Sequence, residues 1–395
     1  MTRVDAIIIG GGPSGATAGL LLARAGWTVA VVEKAAFPRR KVCGEFISAT
    51  TLPLLDEIGL GERYRALAGP EVRRVGLFAG DVALASPMPR ISGGATWGRA
   101  LRRDCLDTLL LDAAKRAGAR VWQTWCVTGL SATEQGHRCT LAAREGVEEI
   151  AARVVIAAHG SWEQSALTLT RRPHATGDLL AFKARFKNCG LETDLMPLLI
   201  FPGGYGGMVT SDGGRTTLSC CIRRDELQRC RERHPRLPAA AAVLLHIRAS
   251  CVGVDEVLRN AEVDDGWLAA GPIRPGIRRR YGDGIFYVGN AAGEAHPIVA
   301  EGISMAMQSA WLLCRHLVAS QDEILNARAL AATGRCYAAE WKKMFARRIH
   351  VAAVVAGATM RPQTRAAILP VLRQFPRILT FGARLSGKTA QLLPA

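Results

Sequence analysis

The hydrophobic pattern at the N-terminus predicts a buried strand that leads directly into a helix. Ala6 to Ile9 are consecutive apolar residues, which is typical of a parallel strand covered on both faces. A glycine-rich turn follows, and the alanine- and leucine-rich run after it predicts a helix. Thr28 to Val32 form a second apolar run, so this stretch has the element order of a β-α-β unit.

Beyond this unit, the period of the pattern predicts a meander, an antiparallel region and several helices. The expected helices are Ala49 to Leu60, Trp97 to Gly118, Asp225 to Arg233, Pro238 to Ser250 and Ser304 to Ala319. The expected strands are short ones from Val72 to Ser92, a meander of Val121 to Leu130, Arg138 to Ala143 and Glu148 to Ala158, and antiparallel strands between Leu179 and Ile222. A final helical segment is expected to break at Pro362, Pro370 and Pro376.

The glycine-rich turn has the spacing G-x-G-x-x-G and predicts a dinucleotide site. Gly10 would make the tight turn, Gly12 would let the backbone approach a pyrophosphate, and Gly15 would let the helix pack on the strand. The helix N-terminus favours the pyrophosphate charge, and Glu33 follows the second strand, where it could accept from a ribose hydroxyl. An acid there favours an adenosine ribose without a 2′-phosphate. The alternative is a glycine-rich turn in an ordinary β-α-β unit.

The length and composition are those of a globular protein of two or three domains. The chain has 395 residues, of which 49% are hydrophobic. The first apolar run is too short for a signal peptide, and Val351 to Ala358 is too short to span a bilayer. Eleven cysteines occur without a C-x-x-C motif, so we expect no zinc or iron–sulfur site and predict reduced thiols in the cytoplasm.

The net charge of +17 is concentrated near the C-terminus. From Trp341 onward there is no acidic residue, and the ten basic ones are Lys342, Lys343, Arg347, Arg348, Arg361, Arg365, Arg373, Arg377, Arg384 and Lys388. This segment predicts contact with an anionic partner, most simply the cytoplasmic surface of a membrane. The alternative is a solvated helical face that covers the dinucleotide-binding domain. Nucleic acid is not expected, because no nucleic-acid motif is present and aromatic residues make up only 6%.

Three motifs in this order resemble a superfamily of flavoproteins. They are Gly10-x-Gly12-x-x-Gly15 with Glu33, the loop Lys41-Val-Cys-Gly-Glu45, and Gly289-Asn-Ala-Ala-Gly293 with Pro297 and Gly302-Ile303. The superfamily holds para-hydroxybenzoate hydroxylase-like monooxygenases, geranylgeranyl reductases and flavin-dependent halogenases. The Cys-Gly-Glu loop is most similar to the reductases, and no Trp-x-Trp-x-Ile-Pro motif of the halogenases occurs.

The resemblance implies an α/β fold with FAD as the cofactor. A Rossmann-type FAD-binding domain (residues 1–75, 97–175 and 275–325) would be interleaved with an antiparallel β substrate domain (residues 76–96 and 176–274). A basic C-terminal helical segment (residues 326–395) would follow. The implied cofactor-binding residues are Gly10, Gly12, Pro13, Ser14, Gly15, Glu33, Lys34, Cys43, Arg103, Val127, Gly289, Asn290, Pro297, Gly302 and Ile303.

Individual roles follow from the same resemblance. Arg103 would reach the cofactor, the Val127 backbone would meet the adenine, and Asn290 would bind the ribityl chain. Pro297, Gly302 and Ile303 would face the isoalloxazine ring, where backbone N–H groups and the positive end of a helix favour a reduced flavin anion.

The sequence departs from the family pattern at three positions. Asn290 replaces an aspartate, His159 replaces the aspartate of an Asp-Gly pair, and Ala300 replaces a glycine. The change at His159 leaves two electron donors open, NAD(P)H or a separate flavin reductase.

Two side chains are candidate catalytic residues. His296 could donate a proton or anchor a substrate beside the ring, or it could only pack the loop. Cys43 could shape the site or be a small apolar filler. The segment Gly203-Gly-Tyr-Gly-Gly207 could bring a phenol close to a ligand or form only a hairpin turn.

The resemblance predicts an FAD-dependent oxidoreductase that acts on a lipophilic aromatic, polyketide or isoprenoid molecule. Hydroxylation is favoured, because the tryptophan and the Phe-Pro pair that usually follow Gly-Tyr-Gly in the family's reductases are absent here. Two alternatives stay open. One is alkene reduction as in the geranylgeranyl reductases. The other is a membrane-associated electron-transfer flavoprotein, whose relatives usually carry a cysteine cluster that this sequence lacks.

Overall fold

The first apolar strand lies in the middle of a mostly parallel sheet. The computed structural model describes residues 2–91, 96–161, 173, 175–321 and 326–389. Six of the eight strands of this sheet follow one another in the order β18 (Tyr281–Gly282), β19 (Ile285–Tyr287), β10 (Gly146–Ala157), β1 (Thr2–Ile9), β2 (Val29–Glu33) and β7 (Arg120–Gln123). The other two, β8 (Cys126–Thr133) and β9 (Gly136–Ala143), form a hairpin in which β9 pairs with β10. Because β1 pairs in parallel with β10 and β2, the turn after β1 lies at the carboxyl edge of the sheet.

Helices bury the apolar side chains of this sheet. α1 (Pro13–Arg24) packs against α4 (Arg103–Arg116) and α8 (Gly302–Ala319). The last four residues of β1 and all of β2 are buried, as expected of strands covered on both faces. The shorter elements of this part are β3 (Phe46–Ile47), α2 (Leu52–Glu57), α3 (Gly61–Leu67), β6 (Arg99–Ala100), β17 (Gly276–Ile277) and β20 (Gly293–Glu294).

A second eight-stranded sheet is mainly antiparallel. Its strands, in order, are β15 (Glu262–Val263), β11 (Leu179–Lys187), β14 (Thr216–Arg223), β13 (Gly204–Thr210), β12 (Leu195–Phe201), β4 (Arg74–Ala79) and β5 (Val82–Pro87), with β16 (Leu268–Ile273) paired to β11. Phe182 and Leu199 of this sheet belong to a core shared with α5 (Arg224–Arg233), α6 (Ala239–Ser250) and α7 (Val252–Val257). Ala181 and Tyr205 belong to a different cluster, which includes Ala356 near the C-terminus.

The basic C-terminal segment forms three helices that pack on the second sheet. α9 (Ala327–Met360) is 34 residues long and contacts α8, β12 and β13. α10 (Pro362–Gln374) follows it, and α11 (Arg377–Ala383) contacts β4 and β5 before a single π-helical turn (Arg384–Lys388). In the part of the chain that the structure describes, no helix has both the length and the apolarity needed to cross a membrane.

Three sequence expectations are corrected by these elements. β7 does not belong to the meander, because it pairs in parallel with β2; the meander consists of β8, β9 and β10. Residues 99–100 pair with β3 as a strand, so α4 begins only at Arg103. Pro370 lies inside α10 and does not break it. The neighbouring Leu372 packs against Leu77 of the second sheet, and this tertiary contact supports the helix across the proline.

Candidate functional site

A cavity of about 720 Å³ is lined by both sheets and by the C-terminal helices. One group of lining residues comes from the turn after β1 and the end of β2, and a second comes from residues 39–46 and from the loop before α8. A third group, from β4, β12, β13 and α9 to α11, is mostly apolar and includes Leu77, Met196 and Leu369. Cavities of this size and character bind cofactors and small apolar molecules.

The glycine turn at the edge of the parallel sheet forms a cradle. Gly10 has φ +109°, and a Cβ there would lie 2.5 Å from the carbonyl oxygen of Ala158. A Cβ on Gly15 would lie 1.8 Å from the carbonyl oxygen of Gly10, so only glycine lets α1 approach the turn. At Gly12 the nearest atom would be Nη2 of Arg103 at 3.9 Å, and this opening lies at the uncapped N-terminus of α1. The residues present therefore fit a bound pyrophosphate.

Glu33 is buried at the end of β2 and stabilises the same turn. Its Oε2 accepts a hydrogen bond from the Gly11 N–H at 2.8 Å, and its Oε1 accepts from the Ala35 N–H at 3.0 Å. Arg39 donates to Oε2 at 3.3 Å. The carboxylate thus has a structural role in the turn, and it also lines the cavity. Its contact with a ribose hydroxyl stays a prediction.

Several cations surround the pyrophosphate end of the cavity. Arg103 donates two hydrogen bonds to the buried carboxylate of Asp107, each at 2.7 Å, and this pair fixes its guanidinium beside Gly12. Burial, together with the charges of Arg103 and Arg39, lowers the pKa of Lys41 to about 8. A positive charge that the protein disfavours in this way is stabilised when an anion binds next to it, which agrees with a pyrophosphate site.

Lys41→Met should stabilise the FAD-free protein and weaken its FAD binding. The pKa of Lys41 is lowered from 10.5 to about 8, so the charge opposes folding below pH 8, and this penalty disappears as the pH rises from 8 to 10.5. The variant should gain up to about 3 kcal/mol in its free energy of unfolding at pH 7. Urea unfolding at pH 7 and pH 10 and a titration with FAD check both effects. Lys115→Met, on the exposed side of α4, is the control and should change neither.

Asn290 lies in a polar cluster that explains why it is not an aspartate. Its Nδ2 donates to Ser161 Oγ at 2.9 Å and to Glu294 Oε1 at 3.2 Å. Arg278 donates to the other oxygen of Glu294 at 2.9 Å. An aspartate at position 290 would place a second carboxylate against Glu294, whereas the amide can donate to it. The preceding Gly289 has φ +59°, and a Cβ there would lie 2.7 Å from Ser14 Oγ.

His296 and Tyr205 come together at the cavity from different parts of the fold. A hydrogen bond of 3.1 Å joins the Tyr205 hydroxyl to Nδ1 of His296, and both residues line the cavity. Burial raises the pKa of Tyr205 well above its usual value and lowers the pKa of His296. Both groups are therefore neutral near pH 7. The Gly203 to Gly207 segment includes part of the turn between β12 and β13 and also places a phenol at the cavity; the approach of that phenol to a ligand stays a prediction.

Five more of the residues predicted to bind the cofactor line the cavity, and another does not. Lys34, Cys43, Pro297, Gly302 and Ile303 line the cavity, and Gly302 begins α8 with open space around its Cα. The sulfur of Cys43 accepts a hydrogen bond from the Glu45 N–H at 3.3 Å. Val127 is buried in the core, where it pairs with Leu141, and it is not among the residues that line the cavity.

A buried ion pair that the sequence analysis missed connects the Cys-Gly-Glu loop to the second sheet. Glu45 pairs with Lys183 of β11 and accepts a hydrogen bond of 2.6 Å from Thr217 of β14. Both charged side chains are almost fully buried, and Glu45 has φ +64°. The available signal was Lys183 itself, a lysine between the apolar residues Phe182 and Ala184 in the middle of a strand. The pair fixes the position of the loop at the cavity wall.

The C-terminal turn contacts the loop that precedes α8. Lys388 donates hydrogen bonds of 2.9 Å to the carbonyl oxygen of Val299 and to Oε1 of Glu301, and Glu301 is completely buried. Ala300 between them has φ +50°, so this position keeps the left-handed conformation although it is not glycine. Lys388 is thus an internal residue of the site, not part of a solvated basic face.

Comparison with known proteins agrees with this geometry. A family model described as FAD binding domain matches residues 3–333. Digeranylgeranylglycerophospholipid reductase 1 of Methanothermobacter thermautotrophicus is 26% identical over 336 residues, which cover 82% of this chain and 79% of that protein. The flavin-dependent brominase Bmp2 has a similar structure, with a TM-score of 0.77 at 18% identity, covering 98% of this chain and 94% of that one. The probable FAD-dependent monooxygenase pqsL of Pseudomonas aeruginosa has a TM-score of 0.73 at 17% identity, covering 93% and 100%.

These similarities confirm the fold class that was predicted from the sequence. The family match extends from β1 into α9 and includes both sheets, and the two solved structures cover nearly the whole chain. At identities below a fifth, the solved structures establish the fold and not the reaction. The chain therefore belongs to the FAD binding domain family and is an FAD-dependent oxidoreductase.

Proposed function

We propose that this oxidoreductase is a monooxygenase that hydroxylates a lipophilic aromatic molecule carrying a hydroxyl group. The observation behind the proposal is the hydrogen-bonded pair Tyr205–His296 in a cavity whose third group of lining residues is mostly apolar. A neutral imidazole can take up a proton, and the apolar wall favours a substrate without charge. The pair therefore suits an uncharged phenol that loses its proton during the reaction.

Some residues at the cavity would bind the cofactor, and others would bind the substrate. The glycine turn and the N-terminus of α1 would hold the pyrophosphate, and Gly302 and Ile303 would hold the ring end of FAD. When bound, FAD would supply the redox chemistry that transfers an oxygen atom. The protein itself binds the substrate, excludes water from the cavity and moves one proton.

The proton path uses both members of the pair. The Tyr205 oxygen can accept the proton of a substrate hydroxyl while its own proton passes to Nδ1 of His296, 3.1 Å away. The resulting phenolate is more electron-rich than the phenol and reacts faster with an electrophilic oxygen donor. This relay requires the imidazole to be neutral, which is the form that burial favours.

Alkene reduction is the second candidate function. The relative that matches 82% of the chain is a digeranylgeranylglycerophospholipid reductase, and the mostly apolar third group of lining residues would also suit a prenyl chain. In that reaction the same pair would work in the opposite direction, because a reduced double bond takes up a proton. Tyr205 would then donate to the substrate.

Either reaction needs a source of electrons, and we propose NAD(P)H or a separate flavin reductase. His159 lines the cavity where the family carries an aspartate, and burial lowers its pKa to about 4, so this position is uncharged near pH 7. Mixing the FAD-loaded protein with NADH, with NADPH, or with a flavin reductase and NADH under anaerobic conditions shows which donor bleaches the flavin.

One experiment separates hydroxylation from reduction. The FAD-loaded protein is reduced chemically without oxygen and mixed with a long-chain alkylphenol or with a geranylgeranyl phospholipid. Hydroxylation predicts no product until isotopically labelled oxygen is admitted, and then an alkylphenol product with one labelled oxygen atom. A product with two added hydrogens that forms without oxygen would contradict the monooxygenase and establish the reductase.

A further inference from the structure

The last three helices expose a set of large apolar side chains. Val354 is 71% exposed, Phe375 is 58% exposed and Phe381 is 59% exposed, and Val371 and Ile378 are exposed as well. Val371 lies on α10, and Phe375 directly follows this helix and donates its N–H to the Val371 carbonyl oxygen at 2.9 Å. Ile378 and Phe381 lie three positions apart on α11. Ile378 and Phe381 are therefore neighbours on the surface of α11, and the hydrogen bond between their backbones keeps Val371 and Phe375 close together at the end of α10.

Exposed arginines lie on the same helices and at their ends. Arg361, Arg377 and Arg384 are exposed, and none of them forms an ion pair with a described residue. Arg373 is paired with Asp81. The sequence has no acidic residue after Glu340, so nothing within the segment balances these charges. We call these five apolar and three basic residues the C-terminal face: Val354, Val371, Phe375, Ile378, Phe381, Arg361, Arg377 and Arg384.

The C-terminal face is continuous with the cavity. Val354, Val355 and Ile378 line the cavity and are also exposed to solvent, so the cavity reaches the surface at these helices. The apolar groups at this opening belong to α9 and α11, and Leu372 of α10 and Leu379 of α11 line the cavity as well. A lipophilic molecule entering here would meet apolar side chains at the opening.

We propose that the C-terminal face docks on an anionic lipid bilayer and that the substrate enters the cavity from it. Apolar side chains that insert among acyl chains, next to unpaired arginines at the level of anionic headgroups, form the combination that holds a protein in the interfacial plane of a membrane. A nucleic acid would match the arginines but leave the exposed phenylalanines in water. An acidic protein partner would match both, so the experiment includes that outcome. Docking does not depend on whether the cavity hydroxylates or reduces its substrate.

The test is co-sedimentation of the FAD-loaded full chain with lipid vesicles. Vesicles of phosphatidylcholine are compared with vesicles that also contain phosphatidylglycerol. We expect binding to the anionic vesicles only, weakened by raised salt. Replacing Arg361, Arg377 and Arg384 with glutamine should reduce the partition coefficient by about 100-fold, at about fivefold for each charge. Replacing Phe375 and Phe381 with serine should reduce it by at least about tenfold.

Matched controls use exposed residues elsewhere on the chain. Lys115, Arg116 and Arg120, on α4 and β7, are changed to glutamine, which removes the same charge. Val147, which is 69% exposed, is changed to serine. Both controls should bind anionic vesicles as the unchanged protein does, and all variants should retain flavin and their melting temperature. If a variant with several substitutions in the C-terminal face loses flavin, the same substitutions are tested one at a time.

Several results would overturn the proposal. They are absence of binding at low salt, equal binding to both kinds of vesicle, and equal loss of binding in the α4 control. The protein is also tested for binding to an unrelated acidic protein, such as a polyglutamate carrier. An affinity for this carrier equal to that for anionic vesicles would contradict docking on a lipid surface. The reaction is scored separately with a detergent-dissolved alkylphenol. Unchanged turnover of this substrate by a face variant that no longer binds vesicles would support docking as a step distinct from catalysis.

Discussion

Replacing Gly12 with valine should give a folded protein that no longer retains FAD. A Cβ at this position lies 3.9 Å from the nearest atom, Nη2 of Arg103, so the substitution meets no backbone atom in the turn. The branched side chain would instead occupy the opening at the N-terminus of α1, where a pyrophosphate is expected. We expect the Kd for FAD to rise by at least about 100-fold, or ~3 kcal/mol.

Gly15→Ala provides the contrast for this prediction. Its Cβ would lie 1.8 Å from the carbonyl oxygen of Gly10, so the backbone itself must move. We expect a lower melting temperature, with a loss of stability of about 1–3 kcal/mol or more. Flavin absorbance per protein and thermal unfolding are measured on both variants. A Gly12→Val protein with an unchanged melting temperature and full flavin content would contradict the assignment of the cradle.

Substitution of His296 or Tyr205 should lower turnover strongly while FAD stays bound. His296→Ala removes the proton acceptor and should reduce kcat by about 10²- to 10⁴-fold, as is usual when a positioned acid or base is lost. Tyr205→Phe interrupts the relay between substrate and His296 and should have an effect of similar size. Neither residue belongs to the glycine cradle, so flavin content should not change.

The pH dependence of the unchanged protein tests the direction of proton transfer. Burial lowers the pKa of His296 below 6.5. For hydroxylation the neutral imidazole is the active form, so kcat/KM should fall as the pH decreases through this lowered pKa, and His296→Ala should remove that acidic limb. His350→Ala, an exposed histidine of α9, should leave the profile unchanged. A rate that instead rises at acid pH and depends on His296 would indicate proton donation, as alkene reduction requires.

The parallel sheet and the cradle were largely predictable from the sequence. Their signals are local: an apolar run, three glycines at fixed spacing and a helix that begins immediately afterwards. Gly15 is required within the unit itself, because its Cβ would clash with the carbonyl oxygen of Gly10, whereas at Gly10 the clash is with Ala158, the residue directly after β10. The helices α5 and α6 were also predictable, since each has a continuous run of helix formers with few interruptions.

The second sheet was predictable as a set of strands but not in its pairing. β4 pairs with β12, which follows it by more than a hundred residues, and no local pattern specifies such a partner. The hydrophobic pattern also could not predict where the C-terminal segment packs. Its helical period was visible, but the packing of α9 on β12 and β13 and of α11 on β4 and β5 depends on the completed sheet.

The sequence by itself predicted the β-α-β unit and the glycine cradle, because these depend on residues close together in the chain, and its resemblance to a flavoprotein superfamily predicted the FAD-dependent class. Only the tertiary structure decided which polar groups meet at the cavity. Tyr205 reaches His296 across 91 positions, and Glu45 reaches Lys183 across 138. Lys388 reaches Glu301 across 87. Contacts of this kind form only when the two sheets and the C-terminal helices pack together. Packing removes these polar groups from water, and each of them then needs a hydrogen-bond partner within the protein.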